Sequence, residues 1–232
     1  MGDISPSAKR QSVRKIYNQI AKQYAKDFGC KISDKKVIGK FIAELKPNSK
    51  VLDLGAGIGN FANYLSEKGF DCVCYDFSEE MMRESRKLYP DLEYILDDAV
   101  NIRNHFNHQS MDGIVALYSL FHIPRQDLDK LFSELNYILK IGGVFCLIIY
   151  SGGESDDFVD EPYLNEEGKK ALYFNYFELE EILQLLDQNN FKVISKIIKP
   201  ISRWRLASKK DSVDALAGKN TTKISIIAQK NK

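Results

Sequence analysis

The run Val51-Leu52-Asp53-Leu54-Gly55-Ala56-Gly57-Ile58-Gly59-Asn60 constrains this chain more than any other stretch. A short apolar strand, residues 50–54, runs straight into glycines, and residues 59–68 read as a helix stopped by Gly69. Gly55 and Gly57 permit backbone conformations closed to other residues and let a ligand approach the main chain. The helix behind them starts with amide groups that have no intrahelical partner. A dinucleotide-binding turn has the spacing G-x-G-x-x-G, with pyrophosphate at the helix start. Here the third glycine comes one place early and Asn60 takes the last position. Asp53 lies inside the strand, where a carboxylate repels a pyrophosphate but can hold a cationic amine, directly or through water.

The alternation continues downstream. Residues 71–75, 92–96, 111–116 and 144–150 read as further strands, with helices over 78–89 and 124–139. Pro124 suits a first helical turn, and Gly142-Gly143 follow the end of that helix. Alternating strands and helices predict a parallel sheet covered on both faces. After a helix over 178–188, residues 191–198 and 223–228 are strands with little helix between them, so the sheet ends antiparallel. The first forty residues read as one or two helices. We therefore expect one domain over 1–232: a helical cap (1–46), a ligand-binding core (47–150), an acidic and aromatic lid-like insertion (151–177), and a C-terminal helix with antiparallel strands (178–232).

Asp76 ends the second strand, seventeen residues past Gly59, where a carboxylate accepts from both ribose hydroxyls. Asp97-Asp98-Ala99 ends the third strand, where a carboxylate accepts from an adenine amino group. Both point to a nucleoside ligand. Lys plus Arg number 33 and Asp plus Glu 32, a net charge of +1 that argues against a dedicated nucleic-acid binder. Cys30, Cys72, Cys74 and Cys146 show no metal-ligand spacing, so no metal is expected. The first ten residues lack the apolar core of a signal peptide. The longest apolar run, 144–150, falls far short of the ~20 residues that span a bilayer. A cytoplasmic protein without a membrane partner is the expectation.

Taken together, the glycine run with Asp53, Asp76, Asp98-Ala99, Asp112-Gly-Ile-Val-Ala-Leu117 and Leu139-Lys-Ile-Gly-Gly-Val144 resembles the class I S-adenosylmethionine-dependent methyltransferases of the small-molecule type. The resemblance covers residues 17–150 well and extends more loosely to 197. It implies a Rossmann-like, mostly parallel seven-stranded sheet and S-adenosyl-L-methionine as cofactor, with S-adenosyl-L-homocysteine as product. It places Gly55, Ala56 and Gly57 against the methionine end and Asp76 on the ribose. Phe77 and Met81 would flank the adenine, and Asp98, with Asp97 as competitor, would meet its amino group beside the Ala99 amide. The main chain at Ala116 and Leu117 would face the reacting methyl. Tyr17 and Tyr24, seven apart on one helix face, would form a lid.

Methyl transfer is an in-line displacement that needs mainly alignment of the reactants. His122, just past the fourth strand, is the candidate base where the acceptor arrives protonated. The leading expectation is a small-molecule methyltransferase acting at nitrogen or oxygen. Two alternatives stand beside it. One is a protein or RNA methyltransferase docking through the basic region 196–219. The other is a module that binds the cofactor or its product without catalysis. The acidic and aromatic residues of 151–177, including Tyr163, Tyr173, Tyr176 and Phe177, are either a solvated loop or a cover attracting a cationic amine.

Overall fold

The computed structural model describes residues 4–152, 157–160, 171–200 and 221–231. Two helices precede the sheet: α1 (Pro6–Phe28) and α2 (Lys35–Ala43). Ser5 caps α1 by accepting from the Ala8 amide at 3.3 Å, and Pro6 occupies its first turn. The core follows as β1 (Lys50–Leu54), α3 (Asn60–Ser66), β2 (Asp71–Asp76), α4 (Glu79–Leu88), β3 (Glu93–Leu96), β4 (Met111–Leu117), α5 (Arg125–Ile138) and β5 (Leu139–Ser151). A hairpin, β6 (Asp157–Asp160) and β7 (Ala171–Phe174), precedes α6 (Leu179–Gln188), β8 (Phe191–Pro200) and β9 (Thr222–Lys230).

The seven-stranded sheet has the order β3-β2-β1-β4-β5-β9-β8. Strands β1 to β5 pair in parallel, and β9 runs antiparallel to both β5 and β8. The expected Rossmann-like sheet with an antiparallel end is therefore present. Chain direction across the sheet reverses between β1 and β4, which opens a crevice at the carboxyl ends of those strands.

Alternate residues of each strand feed two cores. Leu52, Leu54, Val73, Tyr75, Ile114 and Phe145 face α5 and α6, while Val51, Cys72, Cys74, Val115 and Cys146 face α2 and α3. Cys72 and Cys74 share one face and pack, as their spacing predicts. Each fully buried Leu, Val or Phe contributes about 1.5–3 kcal/mol.

Two boundaries differ from the sequence reading. Strand β5 begins at Leu139, not at 144, because buried Leu139 already pairs with Met111. Its register then shifts before Val144 meets Gly113, across a stretch where Gly142 has φ +75°. The segment 151–177 also holds the β6–β7 hairpin, which no alternation announced. Of the aromatics in it, Tyr173, Tyr176 and Phe177 are buried, and the neighbouring Phe174 stacks on Phe121 at 4.3 Å. These described aromatics build core, and none of them lines the cleft. Tyr163 and the segment's acidic residues up to Glu167 lie outside the described side chains.

Candidate active site

The three glycines of the β1–α3 turn all have positive φ. At Gly55 a Cβ would stand 2.3 Å from the Ser119 Cβ, so only glycine lets the turn pass the tip of β4. At Gly57 a Cβ would meet nothing within 4 Å, which leaves that amide edge open. The turn is fastened from beneath. Gly55 and Ala56 donate to the Tyr75 carbonyl at 2.8 and 3.1 Å. Asp76 accepts from the Gly57 amide and from the Ser78 amide, both at 2.8 Å. Burial pushes the Asp76 carboxyl up, against the pull of these amides. Ser78, not Asp76, caps α4 by accepting from Met81 at 3.2 Å.

A cavity of about 960 Å³ opens above this turn. Of the expected site residues, Tyr17, Tyr24, Gly55, Ala56, Gly57, Asp76, Phe77, Met81, Asp97, Asp98, Ala99, Leu117 and His122 line it. Asp53 and Ala116 do not. Ala116 is fully buried in the sheet. Asp53 points under the turn and accepts from the Ala62 amide of α3 at 3.1 Å. Burial raises its pKa to about 7, helped by the Asp76 charge.

His122 lines the same cavity. Its Nδ1 lies 2.9 Å from the Tyr173 carbonyl, which only accepts, so Nδ1 carries the proton. Burial lowers its pKa to about 4, so the ring is neutral. Nε2 then accepts from the Tyr17 hydroxyl at 2.7 Å. The sequence reading treated Tyr17 as lid and His122 as base, and the fold makes them one pair.

Asp97 and Asp98 both reach the cavity. Asp97 accepts from His105 at 2.7 Å and Asn101 at 2.9 Å. Slight burial works to raise its pKa, but these bonds hold it below the usual carboxylate range. Asp98 accepts from Val100 at 3.3 Å and from Arg10 at 2.7 Å.

A third group went unnoticed in the sequence. Asp34, Tyr118 and Lys223 meet at the far wall. Lys223 Nζ lies 2.9 Å from Asp34 Oδ1 and 3.1 Å from the Tyr118 hydroxyl, which itself donates to Asp34. Burial works to raise the Asp34 pKa, but Tyr118 and Lys223 hold the carboxyl below its ordinary value. Asp34 and Tyr118 both sit at positive φ, 53° and 63°. Lys223 lies 189 residues from Asp34, so no local pattern could have joined them. Tyr118 follows a strand tip, and its position was the available signal.

Asn60 explains the departure from the dinucleotide motif. Its Nδ2 donates to the Phe28 carbonyl at 2.7 Å and the Lys31 carbonyl at 3.2 Å, while its Oδ1 accepts from Tyr89 at 2.9 Å. It ties the end of α1 to the glycine turn, which a third glycine could not do. Among the described residues no group of His, Cys, Asp or Glu could hold a metal, and no helix is long and apolar enough to cross a membrane.

The fold and this site define a class. Residues 24–196 match the methyltransferase domain family, and the chain belongs to it. Its fold is that of S-adenosylmethionine-dependent methyltransferases. The 1,6-didemethyltoxoflavin-N1-methyltransferase of Burkholderia thailandensis, solved with its substrate and S-adenosylhomocysteine, superposes with a TM-score of 0.70 at 14% identity, over 100% of this chain and 93% of that one. The [4+2]-cyclase SpnF superposes equally well, with a TM-score of 0.70 at 15% identity and 96% of both chains. In sequence, the phosphoethanolamine N-methyltransferase of Plasmodium falciparum is 28% identical over 156 residues, 66% of this chain and 58% of that protein. Matches to the curated relatives span between 24% and 58% of those proteins' lengths.

Proposed function

We propose that this protein transfers a methyl group from S-adenosyl-L-methionine to a nitrogen or oxygen of a small molecule. The Tyr17–His122 pair carries this reading: a neutral proton-accepting couple on the cavity wall, beside the tip of β4 and the glycine turn. The cavity suits the cofactor. Gly57 leaves space where a side chain would stand, and the Asp76 carboxylate, with about four acceptor positions, keeps room for a ribose hydroxyl beside the Gly57, Phe77 and Ser78 amides. The sulfonium would supply an electrophilic methyl: the acceptor's lone pair would bond to that carbon as the C–S bond breaks, with S-adenosylhomocysteine as the leaving group.

The chain's own residues bind, orient and move a proton. The glycine turn approaches the methionine end, Asp76 orients the ribose, and Asp98 accepts from the adenine amino group. Leu117 closes the wall beside the reacting carbon. Tyr17 donates its proton to His122 Nε2, and this bond offers a relay in which the tyrosine oxygen takes the acceptor's proton as its own passes to the ring. Alignment supplies the remainder. The four cysteines are all unpaired, which suits a cytoplasmic setting, and a single domain over 1–232 remains our assignment.

A second reading is favoured by one observation. A cyclase shares the fold, so the cleft is compatible with chemistry other than methyl transfer. The protein or RNA methyltransferase alternative rests on the basic region 196–219, of which only Lys196 to Pro200 is described. Calorimetric titration with S-adenosylmethionine and S-adenosylhomocysteine, beside Asp76→Ala, is the first test. Micromolar binding lost in the variant is expected; no binding by folded wild-type protein would overturn the reading. A screen of amines and phenols for methyl transfer then separates the enzyme from a non-catalytic or cyclising relative.

A further inference from the structure

Asp98 is gripped from behind. Arg10 Nε donates to Asp98 Oδ2 at 2.7 Å, and Arg10 Nη1 donates to Asp127 Oδ2 in the first turn of α5. The three side chains are 13%, 26% and 20% exposed, so these charge-assisted bonds are sheltered from water. Asp98 lines the cavity, whereas Arg10 and Asp127 do not. Arg10, Tyr17 and Tyr24 repeat every seven residues and share one stripe of α1. Tyr17, about 10.5 Å along the helix from Arg10, is the residue paired with His122.

We propose that Arg10 is a positioning residue that fastens the lid helix to the nucleoside end of the site. It joins α1 to Asp98 and Asp127 and fixes the plane of the Asp98 carboxylate. A carboxylate has about four acceptor positions, and Arg10 and Val100 take two, which leaves lone pairs for an exocyclic amino group. Adenine recognition and Tyr17 placement are thereby coupled through one helix. A cofactor held by Asp98 leaves only when the clasp opens, so Arg10 sets its residence time. This inference rests on the S-adenosylmethionine reading above.

The test is the dissociation rate of S-adenosylhomocysteine, by stopped-flow tryptophan fluorescence or surface plasmon resonance. Wild type, Arg10→Ala, Arg10→Lys, Asp127→Asn and the Arg10→Ala/Asp127→Asn double variant are compared. Arg10→Ala should release the ligand roughly ten- to a hundredfold faster, the range for losing a charged hydrogen bond. Arg10→Lys, which keeps the charge but cannot bridge both acids, should fall between. Asp127→Asn should speed release in the wild-type background and add little on top of Arg10→Ala. A role confined to stability would move the apo melting temperature and leave the release rate alone. Release within twofold of wild type in Arg10→Ala, or fully additive effects in the double variant, would overturn the clasp. Should Arg10→Ala fail to fold, Asp127→Asn and Arg10→Lys carry the same decision. Folded wild-type protein that binds neither ligand would instead sink the cofactor reading.

Discussion

The Tyr17 hydroxyl donates to His122 Nε2 at 2.7 Å, joining the first helix to the loop after β4 across 105 residues of chain. The Tyr173 carbonyl on the other side of the ring fixes which nitrogen accepts. Tyr17→Phe removes the only oxygen of the pair and leaves the ring in place. With an acceptor identified, this variant should lose about 10²–10⁴ in kcat. Its affinity for S-adenosylhomocysteine should stay within a few fold. Equal losses in kcat and cofactor binding would assign Tyr17 to the lid alone.

Two buried groups give opposite pH signatures. His122, with a pKa of about 4 against an ordinary 6.5, binds fewer protons folded than unfolded. Its contribution is complete above pH 6.5 and fades as pH falls toward 4, on the order of 3 kcal/mol in all. Asp53, raised to about 7, binds more protons folded than unfolded. Its contribution is complete below pH 4 and fades as pH rises through 7. The two slopes oppose each other between pH 4 and 7. Urea denaturation of His122→Phe should therefore show stability falling with pH across this window, and Asp53→Asn should show it rising. Parallel profiles for the two variants would mean that neither group titrates as its burial dictates.

Asn60 stands where a dinucleotide motif has glycine. Asn60→Gly restores that motif but removes one donor from each of the Phe28 and Lys31 carbonyls and leaves the Tyr89 hydroxyl only its contact with Cys30 Sγ at 3.8 Å. The variant should be about 1–3 kcal/mol less stable. Hydrogen exchange should rise at the amides of Gly29 and Lys31, which bond within the same segment. Unchanged exchange there would remove Asn60 as the tie.

The Asp34–Lys223 pair is 10% exposed on both sides. Lys223→Met leaves a carboxylate facing only Tyr118 and its own neighbours, and should cost about 3 kcal/mol. Asp34→Asn in the same chain should recover most of that loss, because no buried charge then stands alone. Strictly additive losses in the double variant would show that the two groups do not act as a pair.

Local chemistry made one end of the cavity legible. Gly55, Gly57, Asp76 and Asp98 each sit at a strand tip, and strand tips are visible as apolar runs that stop. Asp53 was misread as a ligand contact because a strand residue's face depends on its neighbours, and here α3 lies beneath it. The far wall stayed hidden for another reason. Asp34, Tyr118 and Lys223 come from the stretch before α2, the residue after β4, and β9, and only the antiparallel closing of β9 on β5 brings Lys223 to the site. The hairpin in 151–177 escaped because β6 and β7 are only four residues each, too short to show a period in the sequence.

The bond from His122 to the Tyr173 carbonyl also dictates an order of assembly. Tyr17 leaves the ribosome early, yet the segment that seats its partner emerges only after most of the sheet has been made. Until then α1 has no surface to receive Val13 and Ile16, which pack against Leu172 and Tyr173. A nascent chain halted before the hairpin therefore leaves Val13 and Ile16 uncovered, although Ile20 and Ala21 can already pack on Ile58 and Met81. Apolar surface left open in this way is prone to aggregation, and synonymous codon changes that slow translation near residue 170 should lengthen its exposure.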